Sequence, residues 1–129
     1  MNYFAEEVNR LNKKIHSKAY LLRQVMAAKQ FMDKHYAESI SIDDLAREAS
    51  LSKFHFQRLF KEKYGLTPIR YLQFLRIDQA KKLLRKGYPV TVVCGEVGFD
   101  SVPTFSKLFK TITGKMPSAY LVKKAGSDK

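Results

Sequence analysis

Apolar positions recur at helical spacing through most of this chain. Leu22, Val25, Ala28, Met32 and Tyr36 stand three or four residues apart, which predicts a helix over about 19–37 with one buried face. Leu72, Leu75, Ala80, Leu83 and Leu84 fall on one stripe and predict a second long helix over 68–86, stopped at Gly87. No segment alternates apolar and polar with a period of two, so the expected fold class is all-α. Ahead of these, Phe4, Val8, Leu11 and Ile15 form a further stripe, which Lys18 breaks before Leu22 and Val25 resume it. About two heptads are below the roughly three to four from which an apolar pattern alone argues a coiled coil. Residues 1–17 therefore read as an N-terminal helical extension or linker.

The rest of the pattern occurs twice. FQRLFKEKYGLTPIRYL (56–72) and FSKLFKTITGKMPSAYL (105–121) align at an offset of 49. Phe56 meets Phe105, Phe60 meets Phe109, Lys61 meets Lys110, Gly65 meets Gly114 and Tyr71 meets Tyr120. Upstream the offset is 48, pairing Ile42 with Val90, Leu45 with Val93, Ala46 with Cys94 and Leu51 with Phe99. The second copy thus carries one extra residue before Val102. Two copies are too few for a solenoid, so a supersecondary unit has been duplicated.

Each copy has the grammar of two helices and a tight turn. Ser41 and Asp44 make a capping-box pattern that opens a short helix over 43–49. After a turn at Ser50-Leu51, Ser52 caps a longer helix through Tyr64, Gly65 stops it, and Thr67-Pro68 opens the next. In the second copy a short helix is predicted over 91–97, then a turn at Gly98-Phe99-Asp100. Ser101 caps a helix through Thr113, Gly114 ends it, and Pro117 opens a last short helix. The expected architecture is two helix-turn-helix subdomains, 18–67 and 87–125, joined by the linking helix 68–86, with a disordered tail at 126–129. That makes about seven helices plus the N-terminal one.

Charge changes the picture. Lys and Arg number 24 against 12 Asp and Glu, a net charge of +12. Such a balance calls for a polyanionic partner, since each neutralised phosphate releases condensed counterions. Composition does not choose among DNA, RNA and an anionic membrane. Cys94 is the only cysteine, which excludes a disulfide framework or cysteine-cluster metal site and fits a reducing cytoplasm. The start lacks a signal-peptide pattern and no apolar run is long enough to span a bilayer, so a soluble, cytoplasmic protein is expected. His16, His35 and His55 lack metal-ligand spacing, and no nucleophile elbow or phosphate-binding glycine loop is present. Neither an enzyme nor a cofactor, a metal or a small-molecule pocket is expected.

Helical spacing sorts the candidate contacts. In the first long helix Phe56, Leu59 and Phe60 point one way, and Phe54, Gln57, Arg58 and Lys61 the other. Arg grips guanine O6 and N7 with two parallel bonds, Gln does the same to adenine N6 and N7, and Phe54 suits a thymine methyl. The plain alternative is a solvated basic surface with one stray Phe. The second long helix offers Val102, Pro103, Ser106, Lys107 and Lys110, poorer in two-pronged groups. Pro103 also removes a first-turn N–H. Ser52, Lys53, Lys61, Ser101, Thr104 and Lys110 are the expected phosphate contacts. The first helix should read bases, and the second should act more through phosphate and shape. His55 reads as a surface or edge residue, with a phosphate contact as the alternative, and Arg76 as the partner of an acid such as Glu48 or Glu96, with a reach to DNA as the alternative.

The stretch LAREASLSKFHFQRLFKEKYGLTPIRYLQFLRIDQAKKLL, followed by VGFDSVPTFSKLFKTITGKMPSAY, resembles the DNA-binding domain of AraC/XylS-type transcription regulators over about 18–120. Gly98-Phe99, Phe105, Phe109-Lys110, Gly114, Pro117 and Tyr120 carry the signature. The resemblance implies two recognition helices in successive major grooves, with Phe54, Gln57 and Arg58 reading bases in one and Val102, Pro103, Ser106 and Lys107 in the other. The chain departs from the family at Cys94, where small Ala is usual and buried packing is expected. It departs again at Lys115-Met116, where a capping Ser or Thr is usual, and at Val102-Pro103, usually polar. The expected function is sequence-specific binding of promoter DNA as a transcription regulator. Expected partners are double-stranded DNA and, through the opposite face, RNA polymerase, with no membrane partner. The domain is expected to be monomeric, with residues 4–25 or a separate domain as the route to a dimer. A non-specific cationic nucleic-acid binder and a protein-interaction module are the rival readings.

Overall fold

A computed structural model describes residues 2–121. Its order is α1 (Tyr3–His35), α2 (Ile42–Ala49), α3 (Lys53–Tyr64), α4 (Pro68–Arg85), α5 (Val90–Glu96), α6 (Val102–Thr113) and a final 3-10 helix (Pro117–Tyr120). No strand occurs among the described residues. Residues 122–125 and the expected tail at 126–129 lie outside them. The count is six α-helices and one 3-10 turn, where about seven helices and an extra one were expected. The difference lies at the N-terminus. The 1–17 extension is no separate helix, because α1 runs unbroken through Lys18. Lys interrupts an apolar stripe but is a good helix former, so the backbone ladder continues where the side-chain pattern stops. α5 also begins one residue earlier than the expected 91, behind Pro89, with no side-chain cap.

The chain divides into two units. One contains the chain up to Met32 with Ser41–Pro68; the other contains Asp33–Ile40 with the chain from Ile69. In the first, Val25, Ala28 and Met32 of α1, Leu45, Ala46 and Ala49 of α2, and Phe56, Leu59 and Phe60 of α3 are buried. α2 and α3 pack on each other. Ser50 takes the left-handed conformation between them (φ 55°), and Leu51 N donates to Ala46 O at 3.0 Å. Lys29 of α1 stands 6.0 Å over the ring of Tyr64, which lies 4.7 Å from Phe60.

The capping box forms as its sequence predicts. Asp44 N donates to Ser41 Oγ at 3.0 Å, and Ser41 N donates to Asp44 Oδ2 at 2.9 Å. The Ser41 backbone N–H, then its hydroxyl, holds the Asp44 carboxyl below its ordinary value. A depressed carboxyl stabilises the fold fully above its unfolded pKa, and the contribution is lost as pH falls through the folded value. Wild type is therefore expected to melt above Asp44→Asn at neutral pH, with the gap closing in acid. A gap unchanged by acid would contradict a charged cap.

The second unit is built on Ile77, Ala80 and Leu84 of α4, Val93, Cys94 and Val97 around α5, and Phe105 and Phe109 of α6. Phe99, Phe105, Phe109 and Tyr120 run as a ladder with centroids 5.2, 5.6 and 5.2 Å apart. Ile77 is fully buried, while Leu75 and Leu83 of the predicted stripe are half-buried. Cys94 is a packing residue: its Sγ lies 3.7 Å from Phe99 O and burial pushes the thiol pKa up. Pro117 follows Met116, which makes no side-chain cap, and only a single 3-10 turn forms there.

Arg76 corrects an expectation. It pairs with neither Glu48 nor Glu96; its Nε donates to Tyr36 O at 2.7 Å and its Nη2 to Glu38 O at 2.8 Å. The connector 36–40 has left the helical ladder, so its carbonyls need outside donors, and a guanidinium supplies several in a fixed fork. Burial lowers the Arg76 pKa and the nearby Asp100 carboxylate works against that shift. Tyr71 Oη donates to Asp33 Oδ1 at 2.5 Å, a second tie to this segment. No described helix is long and apolar enough to cross a membrane.

Candidate nucleic-acid interface

α3 is positioned by its buried side. Phe56, Leu59 and Phe60 are anchored in the first unit, which turns Phe54, Arg58 and Lys61 to solvent, with Gln57 half-buried beside them. Phe54 is 81% exposed. An aromatic so placed, among the exposed Lys53, Arg58 and Lys61, contributes nothing to the core. His55 is half-buried, and its backbone N–H donates to Ser52 Oγ at 3.3 Å. That bond uses the Ser52 oxygen as acceptor and leaves its O–H to donate elsewhere.

α6 repeats the arrangement with different chemistry. Phe105 and Phe109 are buried, and Ser101, Pro103, Thr104, Lys107 and Lys110 are exposed. Val102 is half-buried and packs against the core of the second unit; Ser106 is half-buried as well. Val102 is thus only partly available as a surface group. At the helix start Thr104 N donates to Ser101 Oγ at 3.3 Å, and Ser101 Oγ donates to Thr104 Oγ1 at 2.9 Å. The free hydroxyl hydrogen is therefore that of Thr104.

One neighbour of this face was not foreseen. Gln73 of α4 lines a shallow groove with Thr104, Lys107 and Thr111, and its Oε1 accepts from Arg70 Nη1 at 3.1 Å. The apolar stripe of α4 marked it as a linking helix. A polar residue off the stripe gives no sign of which neighbouring helix it will stand beside.

Similarity to known proteins gives the family. Residues 45–123 match the family model described as a helix-turn-helix domain. The uncharacterized HTH-type transcriptional regulator YbfI of Bacillus subtilis (strain 168) is 38% identical over 71 residues, 55% of this chain and 26% of that protein. The arabinose operon regulatory protein of Escherichia coli (strain K12) is 34% identical over 99 residues, 75% of this chain and 34% of that protein. Among solved structures, the DNA-binding domain of the global transcriptional factor AdpA, in complex with a target DNA, has a TM-score of 0.72. It is 30% identical and covers 74% of this chain and 87% of that one. The chain spans less than half the length of the curated relatives it matches first. With the family model matching well over half of its residues, the chain belongs to the AraC/XylS type of transcription regulators, as a helix-turn-helix DNA-binding domain.

Proposed function

We propose that this chain reads promoter DNA by sequence, with α3 and α6 entering successive major grooves about 34 Å apart. The observation that carries the reading is the exposed α3 face, where Phe54, Gln57 and Arg58 lie together between Lys53 and Lys61. Arg58 takes a guanine, Gln57 an adenine and Phe54 a thymine methyl, while Ser52, Lys53 and Lys61 hold phosphates. In α6, Pro103, Ser106 and Lys107 lie nearest the bases, with Val102 contributing its exposed part. Ser101, Thr104 and Lys110 face the backbone, with Thr104 as the hydroxyl donor. The second unit reads less and positions more. The surface turned away from DNA is left for RNA polymerase, and the protein works on the nucleoid in the cytoplasm.

Selection from random duplexes tests this. The expected result is one enriched motif, protected over about two turns along one face of the duplex. Binding that falls with salt but enriches no motif would replace sequence reading with non-specific cationic binding. No salt-sensitive binding at all would favour a protein-interaction surface. Lys110→Ala is expected to weaken selected and random duplexes alike and to reduce the salt slope by about one. A loss confined to the selected motif would assign Lys110 to bases instead.

A further inference from the structure

We infer that the first half of α1 is a two-stranded, parallel coiled-coil seam between two copies of this chain. α1 is continuous from Tyr3 to His35, so the stripe that Lys18 interrupts keeps one helical register. Phe4, Val8, Leu11 and Ile15 alternate by four and three, the spacing of a and d positions in a heptad. They are 72%, 40%, 46% and 65% exposed, although large and apolar. None of residues 3–18 is buried. This stretch of helix presents a hydrophobic seam that nothing in its own unit covers.

The seam's composition indicates its occupant. Val8 and Ile15 fall at a and Leu11 at d, the β-branched and γ-branched arrangement that favours two parallel strands. Flanking positions do not oppose it. In a parallel pair the g position Glu7 meets the partner strand's Asn12, and Lys14 meets Ala19, so no like charges oppose one another. Glu7 is already engaged by Arg10 on its own helix.

Lys18 marks where the seam ends. It occupies the next d position, and two ammonium groups facing each other there disfavour further pairing. One turn later Leu22 is half-buried and Val25 fully buried in the first unit's own core. The same helical stripe therefore serves a partner before Lys18 and its own fold after it. Four side chains from each copy fall short of the roughly 1,200 Å² typical of stable interfaces, so the association is weak and concentration-dependent.

Sedimentation equilibrium of the full chain without DNA tests this. The mass is expected to climb from the single-chain 14.9 kDa toward twice that value between micromolar and near-millimolar concentration. Leu11→Lys and Ile15→Lys should each stay at the single-chain mass while keeping the wild-type melting temperature, since both positions are exposed. In a Cys94→Ala background, Leu11→Cys should form an intermolecular disulfide under mild oxidation, and Arg10→Cys should not. A wild-type mass that stays single across the range overturns the inference. So does a Leu11→Lys variant that dimerises as well as wild type, or an Arg10→Cys variant that cross-links faster than Leu11→Cys. Loss of DNA binding would leave all of these measurements unchanged.

Discussion

Gly98→Ala is expected to destabilise the second unit by about 3 kcal/mol, from backbone strain and overpacking together. Gly98 has φ +99°, where side chains other than hydrogen are strained. A Cβ there would also lie 3.0 Å from Ala37 O, 3.1 Å from Tyr36 O and 3.1 Å from Arg76 Nε. Two of these atoms are backbone oxygens in the connector that Arg76 holds, so they cannot swing aside as a flexible side chain would. Gly114 provides the control. It sits at φ +83°, and an added methyl group would meet nothing within 4 Å, so Gly114→Ala should cost only the left-handed penalty, about 1–2 kcal/mol. Gly65, at φ +77° and equally open, should behave like Gly114. Denaturant titration of the three variants gives the comparison. If Gly98→Ala loses no more than Gly114→Ala, the connector does not approach the turn this closely.

The second large effect is on DNA. Arg58→Ala is expected to cost about 1–3 kcal/mol of discrimination between the selected site and its guanine variants. Stability should barely change, because Arg58 is exposed on a helix held by Phe56, Leu59 and Phe60. Arg58→Lys separates charge from geometry. It keeps the cation and hence the salt slope, but an ammonium lacks the planar fork that grips O6 and N7 together. The lysine variant should therefore bind random duplex like wild type and lose its preference at one base pair. Equal losses on selected and random duplexes for Arg58→Ala would assign Arg58 to phosphate and remove the base-reading role.

Much of the candidate site was legible in the sequence because its determinants are short-range. Caps at Ser41, Ser52 and Ser101 act over three residues, and the glycine stops at Gly65 and Gly114 act over one turn. The faces of α3 follow from helical periodicity, which is enough to place Phe54, Arg58 and Lys61 on the surface. α6 was less legible at Val102. A small apolar residue in a first turn suits either the surface or the core edge, and only packing shows that it serves the core in part.

By itself the amino-acid sequence determined the all-α class, the duplicated helix-turn-helix unit, its caps and stops, and the cationic face of α3. The partners of Arg76, the burial of Ile77 over Leu75, the crowding at Gly98 and the exposure of the α1 stripe emerge only once the helices are packed. The reason is common to all four. Arg76 bonds to main-chain carbonyls some forty residues away, and every residue carries a carbonyl, so no side-chain pattern marks the acceptor. An apolar stripe, likewise, looks the same whether its own fold covers it or leaves it bare.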